Sequence, residues 1–126
     1  MKVKTDTKEK FHVISVQTSI LSGNMAAELS SYLLKQLQST TTRNIVLNLK
    51  ELDSLDKEAS ERLVKVQQNF YEQNASFVIC ELQPGVEEFL DKEDLLELMN
   101  ITPTESEAWD IVQMEEIERE LMEGDE

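Results

Sequence analysis

Asn44-Ile-Val-Leu-Asn-Leu-Lys-Glu-Leu-Asp-Ser-Leu-Asp56 is the stretch on which the fold turns. Its first half, Asn44 to Leu49, is a compact apolar run, the pattern of a central strand covered on both faces. Lys50 to Leu55 is polar enough for a short loop, and Asp56 has the side chain of a helix N-cap. From there Leu55, Ala59, Leu63, Val66 and Phe70 recur at intervals of three and four, the apolar stripe of a helix packed on a sheet. Asn74 suits the left-handed residue that closes such a helix. The next apolar run, Ser76 to Leu82, is a second strand stopped by Pro84-Gly85. Strand, helix and strand in this order make a crossover unit, whose helix must lie on a face of the sheet.

Upstream of this unit the period is two. Lys2-Val3-Lys4-Thr5 and Phe11-His12-Val13-Ile14-Ser15-Val16 read as strands joined through Asp6 to Lys10 as a hairpin. Gly23-Asn24 breaks the pattern, after which Ala26, Leu29, Leu33 and Leu37 mark a helix that ends in Ser39-Thr40-Thr41-Thr42. Downstream, Val86 to Leu90 is a short helix with Leu95, Leu96, Leu98 and Met99 packing behind it, and Ile101-Thr102 is a minimal last strand. Thr104 and Glu107 have capping-box spacing at the start of a final helix, whose stripe reads Ala108, Ile111, Met114, Ile117, Leu121. The predicted order is β-β-α-β-α-β-α-β-α. It specifies one α/β domain with a mixed sheet of four to five strands and about four helices, spanning residues 1–114. Residues 115–126 carry seven acids and one arginine, and read as an acidic helix end projecting into water.

The chain of 126 residues is long enough to bury a core without disulfide or metal. No 18-residue apolar run exists, and Met1 to Lys10 lacks the apolar segment of a secretory signal. The single cysteine, Cys80, has no internal partner, so the expected setting is cytoplasmic. The formal net charge of -14 is concentrated in residues 51–126, where five basic residues face twenty-three acids. Such a field repels phosphate backbones and anionic lipid. Nucleic acid and membrane are therefore not expected partners, and a protein with a basic docking face is.

The residue inventory is poor in catalytic chemistry. His12 is the lone histidine and lies in a strand, so neither a His-Cys pair nor a Ser-His-Asp arrangement can be assembled without it. One histidine and one cysteine cannot build an ordinary zinc site. Asp53, Asp56 and Glu58 cluster, but lack the glycine and bidentate glutamate of a calcium loop. Gly23, Gly85 and Gly124 are the only glycines, and none begins a phosphate loop. No cofactor, no metal and no enzymatic activity are expected. Trp109, early in the last helix, is expected to pack.

The element order and the Asn44–Asp56 junction together resemble the sulfate transporter and anti-sigma factor antagonist (STAS) family. Its members run from such a strand through a short loop into Asp-Ser-Ser/Thr-Gly at a helix start. Phe77-Val78-Ile79, the small helix Val86 to Leu90, and Thr102-Pro103-Thr104 through Glu107-Ala108 agree with that pattern. The resemblance implies a non-catalytic regulatory domain that binds an anti-sigma factor of the serine-kinase type. In the antagonist branch that kinase phosphorylates the serine after the aspartate. Here Asp56 is present, but Lys57 occupies the acceptor position, and Glu58 and Ala59 replace the next two residues. Lysine cannot carry a phosphate ester, so the family's switch is expected to be absent at this position. Ser54 and Ser60 are nearby but out of register. The expected partner surface is Asp53, Ser54, Asp56, Lys57, Glu58, Ser60, Glu61, Arg62 and Lys65. Two further readings stay open at this point: small-ligand binding, of a nucleotide or lipid, in the crevice above the strand ends, and a scaffold role outside the sigma-factor pathway. The sequence does not specify an oligomeric state.

Overall fold

The computed structural model describes residues 2–39 and 42–124. Thr40 and Thr41, read above as part of a helix stop, lie outside the described residues, as do Asp125 and Glu126 of the acidic end. The chain opens with a hairpin of β1 (Val3–Thr7) and β2 (Phe11–Val16), paired antiparallel with Val3 opposite Val16. A two-residue strand β3 (Ile20–Leu21) leads into α1 (Gly23–Lys35), which tightens into a 3-10 turn at Gln36–Gln38. Then follow β4 (Asn44–Asn48), β5 (Ser54–Leu55) and α2 (Lys57–Glu72). The last third holds β6 (Phe77–Cys80), α3 (Pro84–Lys92), a 3-10 turn at Leu96–Leu98, β7 (Ile101–Thr102) and α4 (Glu105–Gly124).

The main sheet has five strands in the order β1-β2-β4-β6-β7, antiparallel at the hairpin and parallel elsewhere. This is the mixed sheet of an α/β domain with four helices. The stripes of α1 (Ala26, Leu29, Leu33) and α2 (Ala59, Leu63, Val66, Phe70) are buried as expected. They join Ile14, Ile45, Leu47, Phe77 and Ile79 from one face of the sheet. Asn74 closes α2 at φ 57°. The amide of Ala75 bonds the Phe70 carbonyl and that of Asn74 the Tyr71 carbonyl, the paired pattern that ends a helix through a left-handed residue. Pro84-Gly85, expected to stop β6, instead forms the first turn of α3, where proline's missing N–H costs nothing.

The other face of the sheet is narrower and departs from expectation. Phe11, Val13, Val46, Val78 and Cys80 make an apolar strip covered by α4 through Ala108 and Val112. Trp109 packs edge-on against Phe11 at 5.5 Å between ring centroids, so it is the packing residue it was expected to be. Beyond Val112 the buried side of α4 is polar. Asn44, almost fully buried, accepts from the Ser76 amide (2.8 Å) and from Arg119 (3.2 Å) through Oδ1. Its Nδ2 donates to the Lys10 carbonyl (2.9 Å) and to Glu116 (2.8 Å). Ser76 donates to Glu115 at 2.6 Å, and Arg119 pairs with Glu116 at 2.7 Å. The turns expected to project into water are thus tied down from Glu115 to Glu120, the last through Lys10 at 3.4 Å. Met114, Ile117 and Leu121, the C-terminal part of the apolar stripe, are exposed.

Burial raises the Glu116 carboxyl, but hydrogen bonds from Arg119 and Asn44 and the charges of Arg119 and Lys10 outweigh it, holding the group below the ordinary glutamate value. A carboxyl depressed in the folded state stabilises the protein above its unfolded pKa, and the contribution is lost as pH falls through the folded one. Wild type is therefore expected to lose more melting temperature than Glu116→Gln between about pH 5 and pH 3. Parallel curves for the two proteins would show that the pair carries no pH-linked stability.

Candidate docking site at the start of helix α2

The loops before α1 and α2 are stitched together before either helix begins. Strands β3 and β5 pair in parallel, Ile20 with Ser54 and Leu21 with Leu55. The Ser19 carbonyl accepts from the amides of Asp53 (2.8 Å) and Ser54 (3.1 Å), and the Leu21 carbonyl from Asp56 (3.3 Å). The two helix N-termini consequently emerge side by side, and one carboxylate serves both. Asp56 Oδ1 accepts from the Ala59 amide at 2.8 Å, capping α2, while Oδ2 accepts from the Gly23 amide at 3.1 Å, at the first residue of α1. Ser22 caps α1 in addition, through the Met25 amide at 3.4 Å. A carboxylate facing two positive helix ends is favourable from both sides. A side chain at position 23 would run into the Glu58 carboxylate, so glycine there lets Glu58 lie across the junction.

Asp53, Ser54, Lys57, Glu58, Glu61 and Lys65 are exposed and lie along the loop and the outer face of α2, with half-buried Arg62 among them. Glu58 and Arg62 approach to 3.6 Å across one turn, an exposed pair that contributes a few tenths of a kcal/mol, roughly. Lys57 is the first residue of α2, with its ammonium in solvent. Ser60 must be removed from the expected surface. It is fully buried, and its hydroxyl donates to the Asp56 carbonyl at 2.9 Å, so it belongs to the footing of the helix. Asp56 stays exposed as expected and in addition caps both helices through the Ala59 and Gly23 amides. Sequence reasoning missed the α1 side of the junction: Ile20, 59% exposed beside Ser54, together with Ser22 and Gly23. A serine three residues before Met25, at the onset of helical period, was the available signal.

The crevice at the C-terminal ends of the parallel strands is filled differently. Glu81, at φ 61°, turns its carboxylate onto the Glu105 amide (2.8 Å) at the start of α4. Glu105 in turn accepts from Asn48 (3.0 Å) and from the Trp109 indole (3.1 Å). The positive end of α4 is thereby occupied by a carboxylate of the chain itself, with a second carboxylate beside it. Cys80 beneath them is fully buried. Desolvation, then the charges of Glu105 and Glu81, push its thiol up to about 12, which keeps it protonated and inert. His12, half-buried, bonds Thr7 within the hairpin at 3.0 Å. Among the described residues no group of three or more His, Cys, Asp or Glu converges as a cation site, and no helix is long and apolar enough to cross a membrane.

The STAS domain family model matches residues 2–108, most of the chain and all of the junction just described. The chain belongs to the STAS domain family. No curated protein matches it in sequence. Among solved structures, a STAS domain protein from Planctomyces limnophilus is 21% identical, with a TM-score of 0.73 over 88% of this chain and 97% of that one. An anti-sigma factor antagonist from Mycobacterium paratuberculosis is 14% identical, with a TM-score of 0.75 over 89% and 93% of the two chains. The Bacillus cell fate determinant SpoIIAA in its phosphorylated form is also 14% identical, with a TM-score of 0.64 over 88% and 99%. At these identities the likeness is one of fold, and this STAS domain shares its architecture with anti-sigma factor antagonists.

Proposed function

We propose that this STAS domain is a non-catalytic regulator of the anti-sigma factor antagonist type, acting in the cytoplasm. It binds a serine-kinase-type anti-sigma factor and is not switched off by phosphorylation at the family position. The observation that carries the reading is the shared Asp56 cap. It joins two helix starts and presents exposed Ile20, Asp53, Ser54, Asp56, Lys57, Glu58, Glu61 and Lys65, with half-buried Arg62, on the loop and the outer face of α2. Among these Lys57 puts a fixed positive charge at the start of α2, where a phosphate would add about -1.5 to -2 charges. A surface that cannot change its charge there binds in one state. Ser60 offers no substitute acceptor, because its hydroxyl is buried and bonded.

The test uses the serine-kinase-type anti-sigma factor encoded by the same organism. Calorimetric titration with it is expected to show binding that the double charge reversal Lys57→Glu with Glu58→Lys weakens by about tenfold or more, the scale of hot-spot charges at an interface. With ATP present, intact-mass measurement is expected to find wild type unmodified and Lys57→Ser carrying one phosphate. Equal affinity in the reversed variant would sink the surface assignment. Phosphate on Ser54 of wild type would overturn the unswitched reading.

A further inference from the structure

We infer that the outward face of α4 is a second docking surface, built for an amphipathic helix with basic flanks on a partner protein. Met114, Ile117 and Leu121 are 54%, 56% and 66% exposed, spaced i, i+3 and i+7, so they form one stripe along the helix. The buried side of the same turns is occupied by Glu115, Glu116 and Arg119, held to Asn44 and Ser76. That network fixes the rotation of α4 about its axis. The helix cannot roll its apolar stripe onto the sheet without stripping Asn44 and Ser76 of their partners. The stripe is therefore held in water by construction, and its spacing is that of anchors for a second helix.

Charge selects the occupant. The stripe is bordered by Asp110, Glu118 and Glu120, all exposed. Of the basic residues nearby, Arg119 is turned inward to Glu116, Lys10 is engaged by Glu120, and Lys8 lies over the Trp109 ring. A second copy of this chain would bring its own Glu118 and Glu120 against these acids, in parallel or antiparallel alignment, and anionic lipid would be repelled in the same way. A helix with lysines or arginines beside its apolar stripe meets both the anchors and the border. This surface lies on the opposite side of the sheet from α2 and does not depend on the reading given for the α2 junction. Two partners could occupy the molecule at once.

The probe is a fluorescently labelled synthetic helix of about 18 residues with leucine at i, i+3 and i+7 and lysine at the flanking positions. Its anisotropy titration is compared with that of a scrambled peptide of equal charge and of a glutamate-flanked peptide with the same stripe. The lysine-flanked helix is expected to bind, and Ile117→Ser with Leu121→Ser to weaken it by roughly tenfold, with the melting temperature unchanged because both positions are exposed. The scrambled and glutamate-flanked peptides are expected to bind far more weakly. Equal binding of the scrambled peptide, or no loss in the double variant, would overturn the inference. So would sedimentation showing a dimer that the same double variant dissociates, since the occupant would then be a second copy.

Discussion

Asn44→Leu is expected to lower the free energy of unfolding by about 3 kcal/mol, read from urea denaturation at neutral pH. The size does not come from a cavity, since leucine is branched like asparagine and larger. It comes from the partners left behind. Asn44 is 5% exposed and accepts from the Ser76 amide and Arg119 while donating to the Lys10 carbonyl and Glu116. With leucine in place, the Ser76 amide is buried with no acceptor, and each such group costs about 1–3 kcal/mol. Arg119 and Glu116 keep each other, and Arg119 and Glu115 keep Ser76, but α4 loses its tie to β4. The comparison is Asn48→Leu at the other end of the same strand. Asn48 is only half-buried and bonds Glu105 and the Lys50 amide, so its replacement is expected to cost about 1 kcal/mol. Equal losses at 44 and 48 would mean that the network under α4 is ordinary surface polarity and does not set the helix in place.

The same network marks where the sequence stops being legible. Hydrophobic period reports that a helix has an apolar face, but not which way that face points. For α1 and α2 the apolar face is also the buried one, because the sheet surface beneath is wide and apolar, with Ile14, Ile45, Leu47, Phe77 and Ile79 in line. Under α4 the surface offers only Phe11, Val13, Val46, Val78 and Cys80, with Asn44 and Ser76 at one end and Asn48 at the other. Polar residues on β4 two positions either side of Val46 were a visible sign that a polar helix face lay above. The chain distance hid the pairing, since Asn44 and Arg119 are 75 residues apart. The strand–helix junction was legible because its signals are local: an apolar run, a capping aspartate and a stripe within 27 residues (44–70). Its second half was not. Strands β3 and β5 are two residues each, too short for any periodic pattern, and Ser60 reads as a surface hydroxyl until the Asp56 carbonyl is found within its reach.

Removing the Asp56 carboxylate is expected to cost about 2 kcal/mol, roughly twice the loss of an ordinary N-cap, because two helices are capped by one side chain. Asp56→Ala leaves the Ala59 and Gly23 amides without their side-chain acceptor; α1 retains Ser22, whereas α2 retains no cap. Asp56→Asn keeps an acceptor oxygen for one helix and surrenders the negative charge, so about half of the loss is expected. Lys57→Ser, one residue along, touches neither bond and is expected to change stability by less than about 0.5 kcal/mol. The three variants separate the scaffold of the junction from its chemistry. If the surface is read by a partner as one rigid patch, Asp56→Ala weakens binding beyond its effect on melting, by uncoupling Ile20 on the α1 side from Lys57 on the α2 side. If α2 alone is read, affinity follows Lys57 and Glu58 and is indifferent to position 56 once the protein is folded. Thermal melts and calorimetry on the same three proteins distinguish these outcomes, and a loss at Asp56→Ala no larger than at Lys57→Ser would show that the shared cap joins nothing.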